Sequence, residues 1–332
     1  MQPDQPAFDP DAPAEGPGIY GLPHSPEDAA VILIPVPWDA TASYAKGTAR
    51  GPEAILRASR QVDLFDRETG RPYAGGIALL EESAEIRGWN EEARELARAH
   101  RQTEVNFLGA LLNTRVQALA GEWLDRGRLL GVIGGEHSAP FGLMRALAER
   151  RPGFGVLQLD AHCDLREAYE GFRWSHASIF HNVLKEIPGV TRLVQVGIRD
   201  FAGREDELIR ASAGRVRAFF DADLRRRQQD GETWTGLARE IVAALPEAVY
   251  LSFDIDGLDP SLCPHTGTPV PGGLAFAEAV SLLREIRRSG RRIIGFDLCE
   301  VAPDPGGPSE WDGNVGARLL YKMIGFARME VA

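Results

Sequence analysis

From Ala30 onward, short unbroken apolar runs alternate with longer stretches whose apolar positions recur every three or four residues. The first kind reads as buried strand and the second as amphipathic helix. Strands are predicted at Val31–Val36, Leu129–Ile133 and near 154–162, 192–198, 216–221, 248–255 and 292–299. Helices are predicted from Gly51, over one long stretch from Asn90 to about Arg126 that closes at Gly127, over Ala238–Leu245 and over Ala275–Arg288. A further helix carries Phe141, Leu143 and Leu147, with Ser138 as its expected N-cap. Strands alternating with helices, the strands apolar on both faces, predict a mainly parallel sheet covered on both sides, a three-layer αβα arrangement. Residues 1–26, rich in Pro, Asp, Ala and Gly, read as an extended arm that could lie over a neighbouring surface, and residues 27–332 read as a single domain.

Three of the apolar runs finish in polar residues of one chemical kind. They are Gly134-Gly135-Glu136-His137-Ser138, Asp160-Ala161-His162-Cys163-Asp164 and Asp254-Ile255-Asp256-Gly257-Leu258-Asp259-Pro260. Side chains alternate faces along a strand, so Asp160, His162 and Asp164 are expected to point the same way, as are Asp254 and Asp256. In parallel sheets the ligand sits beyond the carboxyl ends of the strands, which is where these residues fall. Carboxylates crowded there repel each other unless a cation is shared, so a metal site is expected. One imidazole with several carboxylates suits Mn2+, with Ni2+, Co2+ or Zn2+ less specifically. Five or six ligands exceed what one tetrahedral ion needs. A pair of ions about 3.5 Å apart, bridged by carboxylates and lowering the pKa of a shared water, is the natural alternative, and hydrolysis the expected reaction.

Composition narrows the partners. A net charge of −11 disfavours nucleic acid or an anionic membrane and suits a small cationic substrate. No stretch approaches the roughly 18 to 20 apolar residues of a membrane span, and no basic leader precedes an apolar run, so the expected location is the cytoplasm. The three cysteines, Cys163, Cys263 and Cys299, make no disulfide framework; they are either small filler at crowded strand ends or redox-sensitive thiols beside the site.

At these residues the chain resembles the ureohydrolases, the arginase/agmatinase/formiminoglutamase family, whose three signatures occur intact and in order at Gly134–Ser138, Asp160–Asp164 and Ser252–Pro260. The resemblance spans about residues 30 to 330, taking in Pro35-Val36-Pro37-Trp38, Gly47-Thr48-Ala49-Arg50-Gly51-Pro52 and Thr266-Gly267-Thr268-Pro269. It implies two Mn2+ ions, one held by His137, Asp160, Asp164 and Asp254, the other by Asp160, His162, Asp254 and Asp256. It implies further that hydroxide between them attacks a guanidinium carbon, giving urea and an amine, with Asp164 orienting that hydroxide. His176 resembles the family's loop histidine, which shuttles a proton to the leaving amine, and Glu300 resembles the glutamate that pairs with the guanidinium. A homo-oligomer, trimer or hexamer, is implied as well.

The loop from Asp164 to Ala177 resembles that of agmatinases more than that of arginases, because Arg166 stands where arginases carry an Asn. Agmatine, giving putrescine and urea, is therefore the expected substrate, in keeping with polyamine biosynthesis. Trp38 and Trp174 depart from the agmatinase pattern and are expected to narrow the pocket. Arg166 or Arg173 could pair with a substrate carboxylate, as a guanidino acid or formiminoglutamate would require. Of the other histidines, His265 could line the pocket, while the run Arg225-Arg226-Arg227 reads as a solvated face. A zinc-dependent deacetylase on the same general fold should lack Asp256 and Glu300, and a non-catalytic relative should have lost ligands; neither departure is found.

Overall fold

A computed structural model describes residues 8–329. The strands are β1 (Val31–Val36), β2 (Ile77–Leu79), β3 (Leu129–Gly134), β4 (Phe154–Leu159), β5 (Val190–Ile198), β6 (Val216–Phe220), β7 (Ala248–Asp254) and β8 (Arg292–Cys299). All pair in parallel, in the order β2-β1-β3-β8-β7-β4-β5-β6. The helices are α1 (Gly51–Ser59), α2 (Ala84–Arg98), α3 (Gln102–Asp125), α4 (Phe141–Arg150), α5 (Ile179–Glu186), α6 (Gly203–Ala211), α7 (Asp221–Gln229), α8 (Trp234–Ala243), α9 (Phe276–Arg288) and α10 (Trp311–Arg328).

Period-two alternation along buried strands feeds two cores. On β1, Val31 and Leu33 belong to the layer packed by α1, α8, α9 and α10, whereas Ile32 and Ile34 belong to the layer packed by α2, α3, α4 and α5. A strand buried on both faces has no polar side, hence the unbroken apolar runs. Pro35 sits within β1 without disrupting the sheet, because β2 pairs only as far as Leu33 and leaves that edge free at residue 35.

Several expectations change. The long helix from Asn90 to Arg126 is two helices, broken where His100 takes a left-handed φ of 56°. Apolar periodicity runs through the break because both helices pack on the same core, so the pattern alone does not mark it. Ser138 does not cap α4, which begins at Phe141 behind Pro140; its hydroxyl donates to Glu136 Oε1 at 2.6 Å. The short edge strand β2 was not anticipated. Of the predicted arm, residues 1–7 lie outside the described residues, while Ile19, Tyr20 and Leu22 are buried in the core, the Tyr20 hydroxyl donating to Ala317 O at 2.9 Å.

Strand order decides where a ligand can bind. β3 and β4 are consecutive in sequence but separated in the sheet by β8 and β7. The carboxyl ends of four adjacent strands, β3, β8, β7 and β4, therefore open onto one crevice, the position at which parallel α/β sheets bind ligands.

Candidate active site

Each of those four strands delivers chemistry just past its end. His137 follows β3, Glu300 follows β8, Asp254 ends β7 with Asp256 in the next turn, and Asp160, His162 and Asp164 follow β4. Strand alternation is not what gathers them. β4 stops at Leu159, and the next residues form a turn in which Asp164 takes a left-handed φ of 53°. Asp256 likewise lies in a 3-10 turn, and its N–H donates to Asp254 Oδ1 at 2.9 Å. Two glycines allow the segments to meet backbone to backbone. A Cβ at Gly135 would stand 2.0 Å from Trp38 O, and one at Gly257 would stand 2.7 Å from Asp160 N.

The side chains converge closely. His137 Nδ1 stands 2.9 Å from Asp160 Oδ2, 3.0 Å from Asp164 Oδ2 and 3.4 Å from Asp254 Oδ2. His162 Nδ1 stands 3.1 Å from Asp256 Oδ2 and 3.6 Å from Asp160 Oδ1. Ligand atoms of His137, Asp160 and Asp254 lie within 4.8 Å of one another, as do those of Asp160, His162 and Asp256, so Asp160 is common to two groups that could each hold an ion. The structure thus brings all six expected ligands together.

The chemistry of this donor set fits divalent metal. Asp160, Asp164, Asp254, Asp256, Asp297, Glu136 and Glu300 are buried, and among the described residues no Lys or Arg forms an ion pair with any of them. Buried carboxylates without a cationic partner are costly, and a shared cation removes that cost. Without metal the protons take its place. Burial, then the Asp160 charge, pushes Asp164 up to about 7. Burial, then Asp256 and Asp160, raises Asp254 well above the carboxylate range, and burial, then Glu136, does the same to Glu300. Burial opposes charge on the two imidazoles, but their carboxylate neighbours prevail, raising His137 strongly and His162 to about 12.

Residues behind the cluster were not singled out from sequence. His137 Nε2 meets Ser252 Oγ at 3.0 Å, and Ser252 Oγ donates to Asp297 Oδ2 at 2.8 Å, so a buried hydroxyl and carboxylate turn Nδ1 toward the cluster. Burial first, partly offset by His137, pushes Asp297 up to about 6. Gln158 Nε2 donates to Asp160 Oδ2 at 2.7 Å. Arg199 donates to Asp256 O at 2.7 Å and to Val270 O at 2.9 Å, bracing two site loops. A polar residue inside an otherwise apolar strand, as Gln158, Ser252 and Asp297 each are, was the available signal.

Glu300 Oε1 accepts from His137 N at 3.0 Å, while Oε2 looks toward Gly267. His176 stands across the cleft in a turn at the start of α5, Nε2 at 3.3 Å from Ser43 Oγ and its ring edge-on to Tyr169. Burial first, then the facing His162, His137 and Lys46, lowers its pKa to about 4, so the imidazole is neutral at neutral pH. The cleft has a volume of about 310 Å³, and Ser43, Tyr44, Arg166, Tyr169 and Asp200 stand among its walls.

Other expectations are corrected here. Trp38 is buried beneath the site, its Nε1 donating to Glu136 Oε1 at 3.2 Å, and Trp174 packs on Phe141 with centroids 5.0 Å apart; neither lines the cleft. Arg173 pairs with Glu186 and stacks on Trp174, away from the cleft, whereas Arg166 reaches it. His265 is pinned to Asp312 at 2.8 Å rather than lining the cleft. Arg225 and Arg227 are not merely solvated, since they pair with Glu278, Glu232 and Glu240. The three cysteines are buried, and burial pushes every thiol up, which keeps them protonated and unreactive.

A parallel sheet with imidazoles and carboxylates massed at the carboxyl ends of its central strands defines a metal-dependent hydrolase site. The arginase family model matches residues 29–325, and the chain belongs to the arginase family. It is 36% identical over 316 residues to the N(1)-aminopropylagmatine ureohydrolase of Thermus thermophilus, covering 94% of this chain and 95% of that protein. It is 28% identical over 302 residues to the agmatinase of Pyrococcus horikoshii, covering 91% and 93%. The proclavaminate amidino hydrolase structure from Streptomyces clavuligerus superposes with a TM-score of 0.74 at 25% identity, covering 96% of this chain and 99% of that one. The protein is a ureohydrolase of that family.

Proposed function

We propose that the substrate is a linear aliphatic guanidino amine of the agmatine type, N(1)-aminopropylagmatine ahead of agmatine itself, cleaved to urea and the corresponding amine. One observation carries this reading, the charge of the cleft wall. Among the described residues of that wall the arginine is Arg166, which lies over the Tyr169 ring at 4.8 Å and 3.9 Å from the Glu205 carboxylate, so its charge is already answered. The Asp200 carboxylate, also on the wall, forms no ion pair among the described residues. A second cation on the substrate is favoured there and a carboxylate is not. A guanidino acid is the second reading, favoured by the presence of Arg166 on that wall.

In this proposal His137, Asp160, Asp164 and Asp254 would hold one divalent ion, manganese by preference, and Asp160, His162, Asp254 and Asp256 the other. Bound there, the pair would supply Lewis acidity and water activated near neutral pH. Glu300, with one oxygen engaged by His137 N–H and the other beside Gly267, takes the planar guanidinium through that second oxygen. Asp164 accepts a hydrogen bond from the attacking oxygen and fixes its approach to the guanidinium carbon. His176 starts neutral, gains a proton as the attacking oxygen loses one, and delivers it to the amine nitrogen as the carbon–nitrogen bond breaks. Family membership is the support for a homo-oligomer. A cytoplasmic location accords with the finding that among the described residues no helix is long and apolar enough to cross a membrane.

A urea-release panel tests the substrate. N(1)-aminopropylagmatine should give the highest kcat/KM, agmatine a lower one, and arginine and 4-guanidinobutyrate should be poor. Preference for the guanidino acid would overturn the reading of the cleft wall and install Arg166 as a carboxylate partner.

A further inference from the structure

The loop between β1 and α1 contributes Ser43 to the cleft, and its backbone is tied down on both sides of that residue. Before it, buried Glu136 accepts from Trp38 Nε1 at 3.2 Å, from Thr41 N at 2.8 Å and from Thr41 Oγ1 at 2.6 Å. After it, Ala45 N donates to Gly267 O at 3.2 Å, and Asp39 Oδ2 accepts from Gly47 N at 3.0 Å and Ala49 N at 3.4 Å. Asp39 is itself fixed by Asn90, whose Oδ1 accepts from Asp39 N at 2.8 Å.

What this fastened loop meets is His176. Thr41 Oγ1 accepts from His176 N at 3.4 Å, and Ser43 Oγ stands 3.3 Å from His176 Nε2. Nδ1 of the same ring is buried without a hydrogen-bond partner, so among the described residues Ser43 is the one polar contact that fixes how the ring is turned. The remaining constraint, the edge of Tyr169 at a centroid distance of 5.9 Å, is apolar and weakly directional.

We propose that Ser43 is a positioning residue for His176, held at its station by the hydrogen bonds of Glu136 and Asp39 to the loop that carries it. This rests on the role proposed for His176, protonation of the leaving amine. A proton donor must present its nitrogen to the breaking bond within hydrogen-bond reach, and a ring free to turn does so for only part of the time. Glu136 thus acts twice: it lies beside His137 in the chain, and through Thr41 it registers the shuttle loop against the metal strand.

A double-mutant cycle tests this in the metal-loaded enzyme. Removing one neutral hydrogen bond by Ser43→Ala should lower kcat about 3- to 10-fold, leaving KM and metal content unchanged. Ser43→Thr, which keeps the hydroxyl, should restore most of the rate. In a His176→Ala background Ser43→Ala should cost nothing further, because the group it positions is gone. An equal loss in both backgrounds, or no loss in the native one, overturns the proposal while leaving His176 in its role. Near-normal turnover by His176→Ala alone instead removes the proton-transfer role, and the positioning of that ring falls with it.

Discussion

Asp297→Asn should weaken metal binding and strengthen the metal-free fold at the same time. Asp297 is wholly buried, and its carboxylate is pushed up to about 6 by burial. An acid whose pKa is raised in the folded state costs stability as pH climbs from the unfolded value toward the folded one, and the full cost is present above about 6. The gap between about 6 and an ordinary carboxylate near 3.9 corresponds to about 3 kcal/mol. Asparagine keeps an acceptor oxygen for Ser252 Oγ at 2.8 Å and carries no charge. Part of that 3 kcal/mol should therefore return as stability, on the order of 1 to 3 kcal/mol and a few degrees in Tm. An amide oxygen holds the Ser252 hydroxyl without the charge assistance of a carboxylate, so Ser252 is fixed less firmly against His137 Nε2 and His137 turns more freely. Loss of such support lowers metal affinity about 10- to 100-fold. Calorimetric melting of chelator-treated protein at pH 8 should show the gain in Tm, shrinking as pH falls toward 4. Titration with Mn2+ should show one of two affinities weakened, the one His137 serves. Unchanged affinity for both ions would refute the idea that Ser252 and Asp297 hold His137 in place.

Three further outcomes are expected from the same geometry. His176→Ala should lower kcat by roughly 10²- to 10⁴-fold with metal content intact, measured by urea release and metal analysis; a variant that also loses metal would show that the ring serves the cluster instead. Asp256→Ala, which removes the carboxylate nearest His162 Nδ1 at 3.1 Å, should reduce saturating stoichiometry from about two ions per chain to about one, and two retained ions would exclude Asp256 as a ligand. Because His137, His162, Asp164 and Asp254 all have raised pKa values without metal, uptake must displace protons. Affinity should rise about tenfold per pH unit for each proton released, and calorimetry in buffers of different ionisation enthalpy counts them; a pH-independent affinity between 6 and 8 would contradict this.

The hydrophobic pattern was enough to place most of the sheet, because a strand buried on both faces must be apolar throughout, and β1, β3, β7 and β8 are largely so. It was also enough to mark where the chemistry lies, since charged residues closing an apolar run are hard to explain without a ligand. Where periodicity is satisfied by the same core on both sides of a break, as at His100 between α2 and α3, the pattern is silent. β2 has only three residues, too few to establish a period.

Sequence alone determined the composition of the site: which imidazoles and carboxylates exist, at which strand ends, and the family whose signatures they match. Only the tertiary structure decided how they meet. The alternation expected to align Asp160, His162 and Asp164 ends at Leu159, and turns with their own hydrogen bonds and a left-handed Asp164 orient the ligands instead. The tertiary structure likewise took Trp38, Trp174 and Arg173 out of the cleft and set Ser252 and Asp297 behind His137. The physical reason is range. Apolar burial and backbone periodicity act between residues a few positions apart, whereas a hydrogen bond from residue 41 to residue 136, or from 252 to 297, depends on strand order, and strand order is set by how the whole chain packs.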